Sequence, residues 1–299
     1  MTLKNVRSSL DCLKLKDVLD QLYRSYNFSE RVLHDPIEFP HRYSNRDDIE
    51  IAGFIASAFA YGKVTLFKPV IEKILGLMGD HPGDFTANFD ITREAYLFEG
   101  IKYRFNDTGD IVSLIHVLSL ILKEHGSIEG CFLGYYHSGG ISSAINGFVD
   151  SAMHIYNTPG NGGRGIYNTM THRGFKHFLP SPSGGSPCKR INLFLRWMVR
   201  DRDIDFGVWQ GIKKNHLVIP LDTHIARISR CLELTSRKSR DWKMAEEITE
   251  SLKKLDPDDP LKYDFALCHQ GIMGVCREGA CGKDHSSCPI LHGRPAGNG

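Results

Sequence analysis

The sequence predicts an all-α protein. Apolar residues recur at three- and four-residue spacing along most of the chain, and two-residue alternation is nearly absent. Glycines at 83, 100, 126, 139 and 140 fall between the periodic segments, and no repeat of fixed period occurs. Taken in order, Leu10, Leu13, Val18, Leu19, Leu22 and Tyr23 mark an amphipathic helix ending near Tyr26. Asp48 to Tyr61 sets Ile51, Phe54, Ile55, Ala58 and Phe59 among small residues, the composition of a buried helix, with Gly62 as its stop. Further helices are expected over Leu66–Met78, Ile111–Lys123 and Ile141–Tyr156. Asn157 to Gly165 reads as a loop, and Leu179 to Pro187 as a Pro/Ser/Gly turn too short to link domains. Lys189 to Val199 is helical again, with Ile191, Leu195 and Met198 on one face. From about 172 to 200 the outline is therefore helix, short Gly turn, helix, whose turn amides offer a place for a phosphate oxygen. Pro220 then ends an apolar run, and a new helix begins after Asp222.

Composition narrows the class. The chain has 299 residues, 41% hydrophobic and 24% charged, enough apolar material for one large core or two smaller ones. Disorder and collagen-like structure are excluded. The longest nearly uncharged apolar stretch, Ile111 to Leu122, is far short of a membrane span. The opening MTLKNVRSSLDCLKLKD has no continuous apolar run, so no secretory signal is expected, and eight cysteines then suggest a reducing, cytoplasmic setting. Net charge is only +2, but it is unevenly spread. Residues 161 to 240 hold 15 Lys and Arg against 5 Asp and Glu, and Arg164 to Arg200 holds seven basic residues and no acidic one. Such a stretch is either a footprint for a polyanion or a solvated basic face.

Two residues carry the candidate chemistry. Lys189 falls in the first turn of its helix, where the helix dipole and Arg190 disfavour the charged amine by a few tenths to about 1 kcal/mol. A neutral amine is a nucleophile competent for Schiff-base chemistry; a charged one would contact phosphate. Asp222, at a helix start, is first an N-cap worth about 1 kcal/mol, and a cap carboxylate is held ionised and immobile. Near the C-terminus, Cys268, Cys276, Cys281 and Cys288 follow C-x7-C-x4-C-x6-C, dense enough for an iron–sulfur cluster or zinc. His269 and His285 could replace a cysteine, and Cys268, inside the apolar run FALC, also suits an unligated buried thiol. Cys188 adjoins Lys189. His34, His41, His81 and His116 have no partner spacing, and Trp197, Trp209 and Trp242 suit packing. Phe175 and His177, near the turn, suit packing or contact with nucleic acid.

KRINLFL followed by IPLDTHIARI resembles the helix-hairpin-helix DNA glycosylase superfamily, endonuclease III and its relatives in particular. In that superfamily a Leu-Pro-Gly-x-Gly turn leads to Lys-x-x-Asn-x-x-Leu and later to Val-Asp-Thr-His. Leu179-Pro180 matches the turn, Lys189, Asn192 and Leu195 the helix, and Asp222-Thr223-His224 the aspartate segment. Phe175 to Met273 is also similar to an uncharacterised bacterial family related to these enzymes, with weaker likeness over the N-terminal half. The turn here is longer, with eight residues between Pro180 and Lys189 and no Gly-x-Gly in register. Asp201 to Leu217 looks inserted between Lys189 and Asp222, a long gap similar to that of archaeal 8-oxoguanine glycosylases.

The resemblance implies two helical domains, a barrel over 45–200 containing the hairpin at about 172–200, and a second domain from 1–44 plus 201–299 with the metal loop. It implies a bifunctional DNA glycosylase with AP-lyase activity that removes a damaged base from double-stranded DNA, an oxidised purine such as 8-oxoguanine being the first guess. Lys189 and Asp222 would be catalytic. Arg173, Lys176, Gly184, Gly185, Ser186, Arg190, Thr223 and His224 would contact DNA. The four cysteines would hold a structural [4Fe–4S] cluster, with zinc as the alternative. A monomeric, nucleoid-associated enzyme is expected. The alternatives are a non-catalytic nucleic-acid binder of the same fold, and a monofunctional glycosylase using water activated by Asp222.

Overall fold

The computed structural model describes residues 3–158 and 173–275, together with 288 and 290. Among the described residues there are thirteen α-helices, four short 3-10 turns and no strand, so the protein is all-α. The helices are α1 (Leu3–Ser25), α2 (Phe28–Val32), α3 (Arg46–Phe59), α4 (Val64–Met78), α5 (Pro82–Ala87), α6 (Ile91–Glu94) and α7 (Thr108–His125). They continue as α8 (Ile128–Asn157), α9 (Arg173–Phe178), α10 (Lys189–Val199), α11 (Thr223–Cys231), α12 (Trp242–Lys253) and α13 (Asp264–Ile272). No single helix among the described residues is long and apolar enough to cross a membrane.

Local chemistry sets the boundaries. Asn45 caps α3 by accepting from the Asp47 amide, and Asp107 and Asp110 form a reciprocal capping box on α7. Gly126, left-handed, closes α7. The helix expected from Ile141 is the second half of a longer one. α8 starts at Ile128 and breaks at Gly139-Gly140, where Gly140 adopts φ +71°.

α3 and α10 are the central pair. α3 is buried on nearly every side, and Gly53 lets Met198 and Phe194 of α10 close on its backbone; a Cβ there would sit 2.9 Å from the Met198 methyl. The segment that looks inserted, 201–217, belongs to the core. The Phe206 amide donates to Trp197 O at 2.8 Å and the Trp209 amide to Met198 O at 2.9 Å. Trp209 is fully buried, and its indole N–H reaches Glu50 Oε1 of α3 at 2.7 Å.

A buried ionic network joins these pieces. Arg196 of α10 pairs with Asp264 at the start of α13 and with Asp205. Arg200 binds Asp259 with three contacts of 2.9 to 3.1 Å and also reaches Asp203 and Asp205. Both guanidiniums and the Asp205 and Asp264 carboxylates are almost wholly buried. With four carboxylates around two cations, burial pushes Asp264 up to about 6 against the opposing pull of Arg196. Removing one member of such a network strands the other charges in low dielectric, a loss of about 3–5 kcal/mol. Arg200→Met should therefore lower the urea-unfolding free energy by that amount, whereas exposed Arg202→Met should change it by less than about 0.5 kcal/mol.

Candidate active site

A cleft of about 450 Å³ opens where five segments meet. Residues 31–36 form one side, and the junction of α3 and α4, residues 60–67, forms another. α10 contributes Lys189, Leu193 and Arg196, one stripe at helical spacing. Pro220, Asp222 and His224 enter at the start of α11, and α13 supplies Asp264, Phe265, Cys268, His269 and Ile272. Lys189 and Asp222, 33 positions apart in the chain, line this one cleft.

Each is delivered by a constrained backbone. Cys188, directly before Lys189, is buried and holds a left-handed conformation with φ 49° and ψ 36°, a strained geometry for a residue with a side chain. Its thiol faces the carbonyls of Pro180 and Ser186, and the Asn192 amide group holds Pro187 O at 3.1 Å. Lys189 Nζ donates to Ala60 O at 3.3 Å, at the C-terminal end of α3. On the other side, Val218, Ile219 and Leu221 are buried, and the Ile219 amide donates to Thr249 Oγ1 of α12 at 3.0 Å. That anchored segment ends at Asp222, whose Oδ1 accepts from the His224 and Ile225 amides, both at 2.8 Å. The second oxygen, Oδ2, accepts from the thiol of Cys268 at 3.6 Å.

The remaining sequence-selected residues fall in distinct places. Arg173 and Lys176 are exposed on α9, and Thr223 is exposed at the start of α11. His224 is half-buried against Gly271 of α13, where a Cβ would come within 2.6 Å of the imidazole's own Cβ. Gly184 and Gly185 are exposed and Ser186 half-buried. The turn amides differ from expectation. Ser183 donates to Asn146 Oδ1, Gly184 to Ser181 Oγ, Gly185 to Pro182 O, Ser186 to Ser181 O and Cys188 to Ser186 Oγ. A phosphate arriving there would have to displace these acceptors. Arg190 also turns inward. It is buried, donating to Ala58 O and His177 O, carbonyls at the C-terminal ends of α3 and α9. A guanidinium satisfies those carbonyls and the negative end of both helix dipoles at once.

Sequence reading passed over the rim beside Lys189. Residues 103–106 form a tight turn bolted to Tyr61: Tyr103 OH donates to Tyr61 O, and Tyr61 OH donates to Asn106 Oδ1 at 2.6 Å. At its tip Phe105 is 62% exposed, yet its ring stacks with Tyr61, centroids 6.3 Å apart, and lies tilted against His177 at 5.1 Å. Arg104 lies over both the Tyr61 and Phe105 rings. Exposure of this kind is visible only once a residue's neighbours are known.

The expected metal set is described only in part. Cys276 and Cys281 lie outside the described residues, and Cys288 is buried. Among the described residues no group of three or more His, Cys, Asp and Glu is arranged to hold a metal ion. Burial, then the carboxylates of Asp222 and Asp264, push the Cys268 thiol well above its ordinary range, with Lys189 opposing them. In this structure its sulfur faces a carboxylate oxygen, Asp222 Oδ2, at 3.6 Å.

A family model described as a protein of unknown function (DUF2400) matches residues 35–273. No curated protein and no solved structure matches the chain.

His177, on the rim, is held neutral: burial, then Arg190 and Arg104, lower its pKa to about 4. Its folded value lies below the ordinary 6.5, so unfolding takes up a proton as the pH falls. The stability advantage of wild type over His177→Gln should be full above pH 6.5 and shrink as pH drops toward 4. A difference that stays flat across that window in denaturant titrations would contradict this.

Proposed function

The chain belongs to the DUF2400 family, whose model spans most of it, and for it we propose the activity of a DNA N-glycosylase with AP-lyase function. The single observation that carries this reading is that Lys189 and Asp222 share one cleft. Acyl or phosphoryl transfer would call for a different constellation, whereas one amine and one fixed carboxylate suit an electron-poor sugar carbon.

In this reading the damaged base leaves the duplex and enters the cleft, between apolar Phe67, Phe265 and Ile272 and the polar pair. Asp222 keeps Oδ1 for the helix amides and turns Oδ2 toward positive charge developing on the sugar ring. Lys189 forms the bond to C1′ as the C1′–N bond breaks; the base takes the electron pair and a proton, and the amine gives up one. Ring opening then yields an imine, and loss of a C2′ proton expels the 3′ phosphate. Exposed Lys63, Lys102, Arg104, Arg173 and Lys176 would meet phosphates, giving salt-sensitive affinity. Phe105 would enter the gap left in the base stack, as apolar wedges do when DNA is kinked.

The double-stranded substrate to try first carries an oxidised purine such as 8-oxoguanine, on the likeness of the Lys189-to-Asp222 gap. No step passes through a metal; a cluster on the C-terminal cysteines would be structural.

Borohydride reduction of wild type on a duplex with the lesion, or with an abasic site, should give a covalent adduct that Lys189→Ala loses. Asp222→Asn should slow base release by about a hundredfold or more. Salt-sensitive binding with no adduct and no base release would make the chain a non-catalytic binder, and base release with strands left intact would make water the nucleophile. Phe105→Ala should lower the fluorescence rise of a 2-aminopurine placed opposite or beside the target base, and slow release from a paired lesion more than from a mismatched one. Equal behaviour of the variant and wild type on both substrates would remove Phe105 from the mechanism.

A further inference from the structure

We infer that Cys268 is a working residue of the cleft, positioning Asp222 through its thiol, and that any metal centre on the C-terminal cysteines assembles without it. What Asp222 does rests on the glycosylase reading; where the thiol lies rests on geometry alone.

Asp222 divides its oxygens. Oδ1 is saturated by two amides at 2.8 Å, while Oδ2, the oxygen free for chemistry, receives the Cys268 S–H. The register of α13 enforces that contact from both sides. Four residues before Cys268, Asp264 is fixed to buried Arg196 at 2.5 Å. Three residues after it, Gly271 lies so close to His224 that no side chain fits between them. With α13 held at both points, its backbone keeps Cys268 beside Asp222, and only a turn about the Cys268 Cα–Cβ bond would take the sulfur away. His269, the other candidate ligand on this helix, is buried with Nδ1 paired to Phe265 O at 3.0 Å, so it too belongs to the cleft wall.

A thiol suits the position. S–H is a weak donor at long range, so it orients the carboxylate and draws little charge from it. A hydroxyl would bond Oδ2 more strongly and blunt the charge meant for the sugar, and a methyl would leave the oxygen unsteered.

The full-length chain should be prepared as wild type, Cys268→Ala, Cys268→Ser and, as a metal-loss control, Cys276→Ser. Elemental analysis for iron and zinc should give wild-type metal per chain in both Cys268 variants. On a lesion duplex their kcat should fall about five- to tenfold with KM within about twofold, the split expected of a residue acting through Asp222. Metal loss in either Cys268 variant overturns the inference, and so does an unchanged kcat in both. If wild type releases no base from any lesion, the glycosylase reading fails and the thiol is judged separately, by iodoacetamide. Several-fold faster alkylation of Cys268 in Asp222→Asn than in wild type supports the contact, and equal rates overturn it.

Discussion

The buried pairing of Arg196 and Arg200 with Asp205, Asp259 and Asp264 is the constraint on which the cleft depends. It joins the end of α10 to the segment after it and to the start of α13. Those are the elements that carry Lys189 on one side and Cys268 on the other. Apolar packing alone lets helices slide by a turn at modest cost, whereas a desolvated guanidinium bonded to several carboxylates has one register. The network thus converts sequence-distant residues into a fixed site, and it does so from within the core.

The cleft shows how one residue serves structure and chemistry together. Asp222 caps α11 with one oxygen and keeps the other available, so the bonds that hold the helix start also immobilise the carboxylate. Around it, His224 locks against Gly271 and Cys268 faces Oδ2. Opposite, Lys189 reaches the Ala60 carbonyl at the end of α3, beside a rim of Tyr61, His177, Arg104 and Phe105. Preorganised charge of this kind is stabilising only when the groups need no rearrangement, and every anchor described here restricts rearrangement.

Much of this was legible in the sequence, for identifiable reasons. The helix starting at Lys189 and ending at Val199, and the cap at Asp222, follow from local rules of periodicity and capping, and both stand where expected. That the span 201–217 packs into the core was not legible because its attachments are long-range: backbone bonds to Trp197 and Met198, and the Trp209 indole on Glu50 of α3. No periodicity announces such pairing. Arg190 looked like a phosphate ligand because a basic residue at a turn is indistinguishable, in one dimension, from a guanidinium binding two helix C-termini. The place of Cys268 beside Asp222 was not legible either, because cysteine spacing alone cannot show that a sulfur faces a carboxylate. Phe105 gave no signal, since exposure is a property of neighbours.

The central claim is that one amine and one carboxylate meet on a single deoxyribose. The most direct measurement is a crystal structure of the chain with a duplex carrying a positively charged pyrrolidine in place of the abasic sugar. The account predicts the ring nitrogen within hydrogen-bond reach of Asp222 Oδ2, Lys189 Nζ facing the carbon that stands for C1′, and Phe105 in the vacated stack. A duplex held on another face, or a pyrrolidine far from both side chains, would contradict it.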